Sequence, residues 1–431
     1  MSALPPGPAE PPLVQTLRWL LRPISFLESC RRRFGDAFSV SFLGFQTPMV
    51  MLSDPEAIRA LYTVPGHTLP PGRTIALQPI MGSRSLLLLE GREHLARRRL
   101  MLPPFHGERM RAYEATVREV VAREVEGWPE GEPFALHPRM QAVTLEVILR
   151  AVFGVTDADR RVRLADGLGR LLAGTASSSL QFGVLLSRRF GGPDPLARMH
   201  ALRQEIDAML DTEIAARRAD PREDILSTLV TARFEDGEPM DDAEIRDQLM
   251  TLLLAGHETT ATGLAWTFDL LLRHPPVLDR LIAEVDGGEE AYLRAVVAES
   301  LRLRPVVPLA GRRLSEELRV NGHVLPPDTD VTPAIWLAHT RADRYPEPYA
   351  FRPERFLDGA PATYAWVPFG GGVRRCIGAA FAEMEMRVAL AEILARRTLR
   401  PAAAEAERVA RRNVTFSPRG GTRVMAAARA G

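Results

Sequence analysis

The chain contains little cysteine, because only Cys30 and Cys376 occur among its 431 residues. Two cysteines exclude a framework of several disulfides, and they exclude zinc and iron–sulfur sites built from four thiolates. Lysine is absent, so arginine supplies every Lys/Arg-type positive charge. We interpret the missing lysine as a compositional bias of the genome rather than as a chemical requirement.

Neither sign of charge dominates the sequence. The formal net charge is +1, with 55 basic and 54 acidic residues. This balance excludes the global positive field that is typical of nucleic-acid-binding proteins and of proteins held on anionic membranes by charge alone. With 46% hydrophobic and 25% charged residues, the composition is that of a globular protein, and the length allows one or two domains. We expect no nucleic-acid partner.

Long uninterrupted hydrophobic runs are also missing. The first apolar stretch, residues 13–27, is broken by Arg18 and Arg22 and is too short to span a bilayer. The first twelve residues are rich in proline and lack the basic and apolar regions of a signal peptide. These features predict a soluble, cytoplasmic protein without stable membrane insertion. The alternative is an amphipathic segment that touches a membrane surface.

One cysteine lies in a loop of unusual composition. Residues 369–378 read Phe-Gly-Gly-Gly-Val-Arg-Arg-Cys-Ile-Gly, and a helix-forming run follows them. Glycines let the backbone approach a flat or bulky group closely, and a helix N-terminus favours the thiolate form of a nearby cysteine. A single thiolate suits one bond to a soft metal whose other ligands come from a cofactor, as in haem. The alternative is a glycine-rich turn with a buried, inert Cys376.

A second unusual stretch lies inside the longest predicted helix, residues 241–272. Its 32 residues correspond to about 48 Å. The sequence Ala-Gly-His-Glu-Thr-Thr at 255–260 is unfavourable in a helix interior. Ala255 and Gly256 leave room for a planar group, Glu258 can relay protons, and the Thr259 hydroxyl can bond either a bound oxygen species or the carbonyl four residues earlier. The alternative is a kink without chemistry.

Three motifs together resemble the cytochrome P450 family over nearly the whole chain. They are the Phe-x-x-Gly-x-Arg-x-Cys-x-Gly spacing at 369–378, the Ala-Gly-x-Glu-Thr-Thr stretch, and Glu-x-x-Arg at 299–302 followed by Pro-Glu-Arg-Phe at 353–356. The resemblance implies one domain over residues 1–431 with a mainly α fold. A large helical part would carry a smaller β-rich lobe from residues 36–62 and 304–335, with haem between the long helix and the Cys376 loop. The branch that hydroxylates fatty acids and terpenoids is the most similar. No fused reductase is expected.

The resemblance also implies which residues bind haem b. Cys376 would be the axial ligand of the iron. His94 and Arg98 lie four apart on one helical face, which suits the haem propionates, although a solvated basic face is the alternative. Arg313 is an alternative to Arg312. The implied cofactor-binding set is His94, Arg98, Ala255, Gly256, Arg312, Phe369, Gly370, Arg374, Cys376 and Gly378, and the implied structural network behind the loop is Glu299, Arg302 and Arg355.

The activity implied by the resemblance is that of a monooxygenase. It would activate O₂ with two electrons and hydroxylate or epoxidise a lipophilic substrate, with Glu258 and Thr259 delivering protons. Electrons would come from NAD(P)H through a ferredoxin or flavodoxin and its reductase, with Arg97 and Arg99 in a basic docking surface on a monomeric enzyme. A haem-binding sensor or a haem-thiolate isomerase is the alternative, and the Glu258–Thr259 pair argues against both.

The sequence is compatible with a fatty acid, a terpenoid or a steroid as the substrate. An apolar pocket suits a lipophilic molecule, and residues 164–186 are either a lid over it or a loosely packed helix pair. A fatty acid would need a cation at the pocket mouth, for which Arg73, Arg84 or Arg188 are candidates, whereas a terpenoid or steroid would need none. The pocket residues expected from the resemblance are Leu86, Leu87, Leu180, Ala255, Val306, Val307, Leu309, Val414 and Thr415.

Overall fold

The computed structural model describes residues 4–65, 78–105, 107, 109–175, 196–359, 363–412 and 414–429. The mainly α expectation is confirmed, because helices dominate the described chain. The helices are α1 Pro12–Leu21, α2 Pro23–Phe34, α3 Pro55–Thr63, α4 Gln78–Met81, α5 Gly91–Met101, α6 Arg109–Glu126, α7 Leu136–Val147, α8 Ala158–Thr175, α9 Ala197–Ala219, α10 Ile225–Thr231, α11 Asp242–Leu272, α12 Pro275–Gly287, α13 Ala291–Leu303, α14 Ile335–His339 and α15 Ala379–Arg396.

The strands are short and fall into small sheets. They are β1 Ala37–Val40, β2 Met49–Leu52, β3 Phe134–Ala135, β4 Arg312–Arg313, β5 Leu318–Val320, β6 His323–Leu325, β7 Asp330–Pro333, β8 Arg397–Pro401, β9 Val409–Arg412, β10 Thr415–Pro418 and β11 Arg423–Ala428. The four-stranded sheet has the order β1-β2-β7-β4, in which only β2 and β7 run parallel. Its strands lie within the two ranges predicted for a β-rich lobe, while the division of the chain into domains stays a prediction.

Local sequence signals explain where several elements begin and end. The Asp54 side chain accepts a hydrogen bond from the Ala57 amide at the start of α3 (3.0 Å), and Asp241 accepts one from the Glu244 amide at the start of α11 (2.8 Å). Both aspartates satisfy amide groups that have no partner within the first turn of a helix. Asn321 and Gly322 connect β5 to β6 with φ of 48° and 76°, the conformation that a two-residue hairpin turn needs.

Helix α11 lies at the centre of the helical part. It contacts α7, α13, α15 and β10, and most of its side chains are buried. Helix α7 begins at Leu136 and is followed directly by a π-helical turn, Ile148–Val152. Two further hydrophobic clusters pack beside the four-stranded sheet. Within the described ranges, no helix is both long and apolar enough to cross a membrane.

Candidate haem-binding and catalytic site

The Cys376 loop connects a short 3₁₀ turn, Gly372–Arg374, to the start of α15. The Cys376 amide donates to the Phe369 carbonyl (2.9 Å), and the Gly370 amide, with φ of 68°, donates to the Val367 carbonyl (3.0 Å). These bonds fix the loop backbone, while the Cys376 side chain is exposed. The loop therefore presents one thiol from a rigid support.

Opposing influences act on the pKa of the Cys376 thiol. Burial raises the thiol pKa above its ordinary value, while a hydrogen bond from the Gly378 amide and the charges of Arg375 and Arg98 act to lower it. The thiol is exposed and is at the same time surrounded by protein. Burial therefore outweighs the expected stabilisation of the thiolate by the helix terminus. A bound metal cation would favour the thiolate form.

Part of the glycine content of this loop serves a protein side chain. A Cβ atom on Gly371 would lie 2.5 Å from Cδ2 of Tyr62, and one on Gly372 would lie 2.3 Å from the Tyr62 carbonyl oxygen. Tyr62 belongs to α3 and is buried; burial raises the pKa of its hydroxyl to about 12. The sequence predicted close approach of a flat or bulky group; Gly371 approaches the Tyr62 ring, and Gly372 approaches the Tyr62 backbone. Nothing in the motif spacing indicates this contact.

The unusual stretch of α11 has one open position. Ala255 is exposed, although its neighbours Leu253 and His257 are buried. The Thr259 hydroxyl donates to the Ala255 carbonyl (2.5 Å), which is the second of its two predicted roles. A Cβ atom on Gly256 would lie 3.3 Å from Cδ1 of Ile148, so the missing side chain at Gly256 admits the π-helical turn. Ala255 therefore leaves room for a planar group, while a contact between Gly256 and the cofactor stays a prediction.

Glu258 is bonded to α7 rather than to Thr259. Its carboxylate accepts a hydrogen bond from Gln141 Nε2 (2.6 Å) and lies 3.4 Å from the Thr262 hydroxyl. Burial raises the Glu258 pKa above its ordinary value, and the Gln141 hydrogen bond and the Arg412 charge offset part of this rise. Because the neutral acid is favoured, Glu258 holds a proton at a higher pH than an exposed glutamate does. This property suits a group that receives and releases protons.

Two buried histidines near Glu258 were missed from the sequence. Nε2 of His137 lies 3.1 Å from the Thr262 hydroxyl and 3.6 Å from Oε1 of Glu258, and Nδ1 of His257 lies 3.0 Å from the Thr144 hydroxyl. Burial lowers the pKa of each histidine to about 4. Both rings are therefore neutral near pH 7 and take part in a buried polar network around the middle of α11.

One histidine and three arginines from three segments meet on the same side of the molecule as Cys376. Burial, together with the charges of Arg374, Arg98 and Arg312, lowers the His94 pKa to about 3. Arg374 donates to the Leu89 carbonyl (2.6 Å), and Arg312 donates to the Gly311 carbonyl (2.8 Å). Arg313 instead pairs with Asp330 (3.3 Å), which favours Arg312 over the alternative.

Three nitrogens of this group are suited to bind the propionates of haem. Nδ1 of His94, Nε of Arg312 and Nε of Arg374 are buried and have no hydrogen-bond partner in the described residues. Buried nitrogens of this kind normally require hydrogen-bond acceptors, and the two propionates of haem are negatively charged acceptors. Arg98 acts electrostatically on both His94 and Cys376, which ties this group to the thiol. The residues present therefore fit haem, while direct haem contacts of Phe369 and Gly378 stay predictions.

The predicted pocket residues lie in different environments. Leu86 is buried and its amide donates to Gln248 of α11 (3.0 Å), whereas Leu87 is exposed. Val306 and Thr415 are buried, Val307 and Leu309 are half-buried, and Val414 is exposed in the turn between β9 and β10. The Phe416 amide donates to the Val306 carbonyl (2.7 Å), which joins the last hairpin to the segment after α13. A pocket formed by all of them stays a prediction.

Several residues predicted to contact the substrate lie outside the described part of the chain. They are Leu180, Arg73, Arg188 and the end of the predicted lid. Arg84, the remaining anchor candidate, is paired with Asp241.

The structure brings the predicted network of Glu299, Arg302 and Arg355 together. Glu299 and Arg302 form two hydrogen bonds of 2.6 and 2.8 Å, and both side chains are fully buried. Arg355 Nε lies 3.4 Å from Glu299. Arg302 also donates to the carbonyls of His339 and Pro348 (2.8 and 2.7 Å).

His339, which the sequence did not reveal, links this network to the cysteine loop. Its Nε2 accepts a hydrogen bond from the Val367 amide (2.8 Å), and Val367 in turn accepts the Gly370 amide. Burial lowers the His339 pKa to about 3, so the ring stays neutral and keeps this acceptor. The Glu299 network therefore supports the backbone that holds Cys376.

Comparisons with known proteins agree on one family. The family model described as Cytochrome P450 matches residues 5–419. A protein of Mycobacterium tuberculosis and Mycobacterium bovis, provisionally named cytochrome P450 135B1, is 42% identical over 435 residues, covering 98% of this chain and 91% of that protein. The M. tuberculosis protein provisionally named cytochrome P450 138 is 37% identical over 433 residues, covering 98% and 96%.

Solved structures show the same architecture. Retinoic acid-bound cyanobacterial CYP120A1 superposes with a TM-score of 0.85 at 25% identity, covering 100% of both chains. The haem domain of cytochrome P450DA superposes with a TM-score of 0.85 at 23% identity, covering 100% of this chain and 99% of that one. The described fold is therefore similar to that of these haem domains.

Proposed function

Because the chain belongs to the cytochrome P450 family, and is therefore a haem-thiolate monooxygenase, we propose that it oxidises a lipophilic substrate of the terpenoid or steroid type. Consumption of O₂ distinguishes this activity from that of a haem-binding sensor or a haem-thiolate isomerase. When bound, the haem supplies the iron centre at which O₂ is activated with two electrons. All other steps below concern residues of this chain.

The Cys376 thiol and the group of one histidine and three arginines have separate roles in holding the cofactor. Cys376 would be the protein ligand of the iron, with the loop bonds to Phe369 and Val367 keeping its backbone in place. His94, Arg98, Arg312 and Arg374 would hold the propionates. The observation that carries this assignment is the set of buried, unpartnered nitrogens beside an exposed thiol.

Proton delivery would fall to Thr259 and Glu258 on α11. The Thr259 hydroxyl donates its proton to the Ala255 carbonyl, so its oxygen keeps lone pairs that can accept a further hydrogen bond beside the open Ala255 position. Burial raises the pKa of Glu258, which lies in the polar network around Gln141, so this carboxyl releases its proton at a higher pH than an exposed glutamate does. A turn of the Glu258 side chain from α7 toward Thr259 would then carry the proton to the site.

Replacing Thr259 by alanine removes this hydroxyl while leaving the helix intact. We expect Thr259→Ala to oxidise NAD(P)H at close to the normal rate but to release most of the electrons as hydrogen peroxide, with product formation falling about tenfold or more. Thr259→Ser restores a hydroxyl and is the matched control. Product and peroxide are measured per NAD(P)H consumed. Unchanged coupling in Thr259→Ala would contradict the proton-delivery role.

The proposed substrate class rests on the apolar character of the predicted pocket residues and on the pairing of Arg84. The described pocket candidates are apolar, and such pockets bind lipophilic molecules. Arg84 is paired with Asp241, so it is not poised to bind the carboxylate of a fatty acid. The neighbour CYP120A1 was solved with retinoic acid, another lipophilic molecule. Fatty acids are the second candidate, because the predicted branch includes fatty-acid hydroxylases.

A spectral titration distinguishes the two substrate classes. Ferric enzyme is titrated with a panel of terpenoid and steroid hydrocarbons and with a panel of long-chain fatty acids, and the low-to-high-spin Soret shift is recorded. We expect saturable shifts with the first panel. Shifts with fatty acids alone, weakened at least tenfold in Arg84→Ala, would overturn the proposal in favour of fatty-acid binding. Arg294→Ala, in an exposed i,i+4 pair with Glu290, is the control.

We also propose that electrons come from NAD(P)H through a ferredoxin or flavodoxin with its reductase, and that the enzyme works as a cytoplasmic monomer. Arg97 and Arg99, expected in the docking surface, are paired with Glu244 and Glu235 and are thus largely neutralised. Arg375 is exposed beside Cys376 and is the better candidate for contacting an acidic partner.

A further inference from the structure

Helix α1 turns its apolar face outward. Its buried side chains are Gln15 and Trp19, whereas Leu13 and Leu21 are 52% and 76% exposed. A helix on the surface of a globular protein normally does the opposite, burying its apolar stripe against the core. The outward-facing apolar residues of α1 are Leu13, Val14, Leu17, Leu20 and Leu21.

The neighbouring loop extends this apolar surface. Leu43 and Phe45 are exposed, and the Leu43 amide donates to the Thr16 hydroxyl of α1 (2.8 Å). We call these two residues and the five outward residues of α1 the N-terminal apolar patch. It contains seven of the twelve exposed large hydrophobic side chains found in the described part of the chain. Contiguous patches of this kind mark contact sites rather than ordinary surface.

The patch is fixed to the body of the protein. Gln15 donates to the carbonyls of Pro8 and Glu10 (3.2 and 2.7 Å) and accepts the Ser41 amide (2.9 Å). The Trp19 ring packs 5.7 Å from the Phe416 ring. The outward direction of the leucines is therefore set by buried contacts on the opposite side of α1, and it does not depend on a loose terminal segment.

Charge around the patch is positive. Residues 10–34 contain five arginines and two glutamates. Both glutamates are engaged, Glu10 with Arg18 (2.9 Å) and Glu28 with the Tyr349 hydroxyl (2.9 Å). Arg22, Arg32 and Arg33 are exposed on α2 or at the junction of the two helices. An apolar surface bordered by exposed arginines matches a partner that is apolar inside and anionic outside.

We propose that the N-terminal apolar patch binds reversibly to the surface of an anionic lipid bilayer. Leucine and valine are under-represented among the residues that carry binding energy at protein–protein interfaces, whereas leucines bordered by arginines are typical of helices that lie in the membrane interface. At ten residues, about 15 Å, α1 would lie along the surface. The arginines would contact the phosphate groups. The proposal rests on the patch alone and holds for either substrate class.

Vesicle binding by the haem-loaded enzyme tests the proposal. Wild-type protein is sedimented with vesicles of pure phosphatidylcholine and with vesicles that also contain phosphatidylglycerol. We expect binding to the anionic vesicles that weakens at high salt, and a fall of about tenfold for each aspartate in the double variant Leu17→Asp, Leu21→Asp. Arg22→Gln with Arg32→Gln is expected to reduce binding to anionic vesicles only.

The matched control places the same two charges elsewhere. Val162 is 68% exposed and Leu357 is 38% exposed, and neither belongs to the patch, so Val162→Asp with Leu357→Asp is expected to bind vesicles like the wild type. The haem spectrum of each variant reports that it is folded. Absence of wild-type binding, or equal losses in both double variants, would overturn the proposal. A wild-type dimer that does not bind vesicles and is abolished by Leu17→Asp, Leu21→Asp would overturn it in favour of a second copy.

Discussion

Replacing Glu299 by alanine is expected to destabilise the protein by about 3–5 kcal/mol, because it leaves the Arg302 guanidinium buried without its countercharge. Both side chains are fully buried, and their two hydrogen bonds are 2.6 and 2.8 Å long. The Arg352 amide, which also donates to Glu299 (2.9 Å), would lose its acceptor. Denaturant unfolding followed by circular dichroism measures the change.

Two controls separate this buried network from ordinary ion pairs. Arg294→Ala breaks an exposed pair with Glu290 and is expected to cost no more than about 1 kcal/mol. The double variant Glu299→Leu, Arg302→Met removes both charges and is expected to be more stable than Glu299→Ala. If Glu299→Ala were no less stable than Arg294→Ala, Glu299 would not hold the structure behind the cysteine loop.

Replacing Cys376 by serine is expected to reduce substrate oxidation to below about 1% of wild type, because a hydroxyl cannot donate electron density to iron as a thiolate does. We expect the variant to fold, since the Cys376 side chain is exposed and its backbone bond to Phe369 is unaffected. Haem content and the carbon monoxide difference spectrum of the reduced protein report ligation, and product formation reports activity.

Cys30 provides the matched control. It is buried, its pKa is raised to about 11 by burial, and it lies in the hydrophobic cluster between α2 and the sheet. Cys30→Ala removes the other sulfur and is expected to keep the thiolate spectrum and most of the activity. A Cys376→Ser protein that retained the thiolate spectrum would show that the ligand has been assigned to the wrong residue.

Signals that act within a few residues were read correctly from the sequence. Asp54 caps α3, Gly35 follows the last residue of α2, and Asn321 and Gly322 form the turn between β5 and β6, as the local backbone chemistry of these residue types favours. Helix α11 begins one residue later than predicted because Asp241 is its N-cap. Local preferences were sufficient for these positions because no distant contact opposes them.

Contacts between distant segments could not be read in the same way. Gly371 and Gly372 accommodate Tyr62, about three hundred residues earlier, and Gly256 accommodates Ile148. A glycine indicates that something approaches closely, but it does not indicate what approaches. His339 joins two loops through a ring whose partners are identified only once the chain is folded.

Charge patterns were limited in a similar way. Arg97 and Arg99 look like a basic surface in the sequence, but both have acidic partners from elsewhere in the chain. The predicted lowering of the Cys376 pKa by a helix terminus omitted the burial that outweighs it. Partner identity and burial are tertiary properties, so a one-dimensional pattern gives the residue type but not its electrostatic surroundings.

We propose that this chain inserts one atom of O₂ into a lipophilic substrate at the Cys376 site. The most direct measurement supplies isotopically labelled O₂ to the haem-loaded enzyme, with NAD(P)H, a ferredoxin, its reductase and a substrate that gives a spin shift. We predict product that carries one labelled oxygen atom in the wild-type protein and no such product in Cys376→Ser. Product whose added oxygen comes from water, or substrate that rearranges without consuming O₂, would contradict the assignment of a monooxygenase.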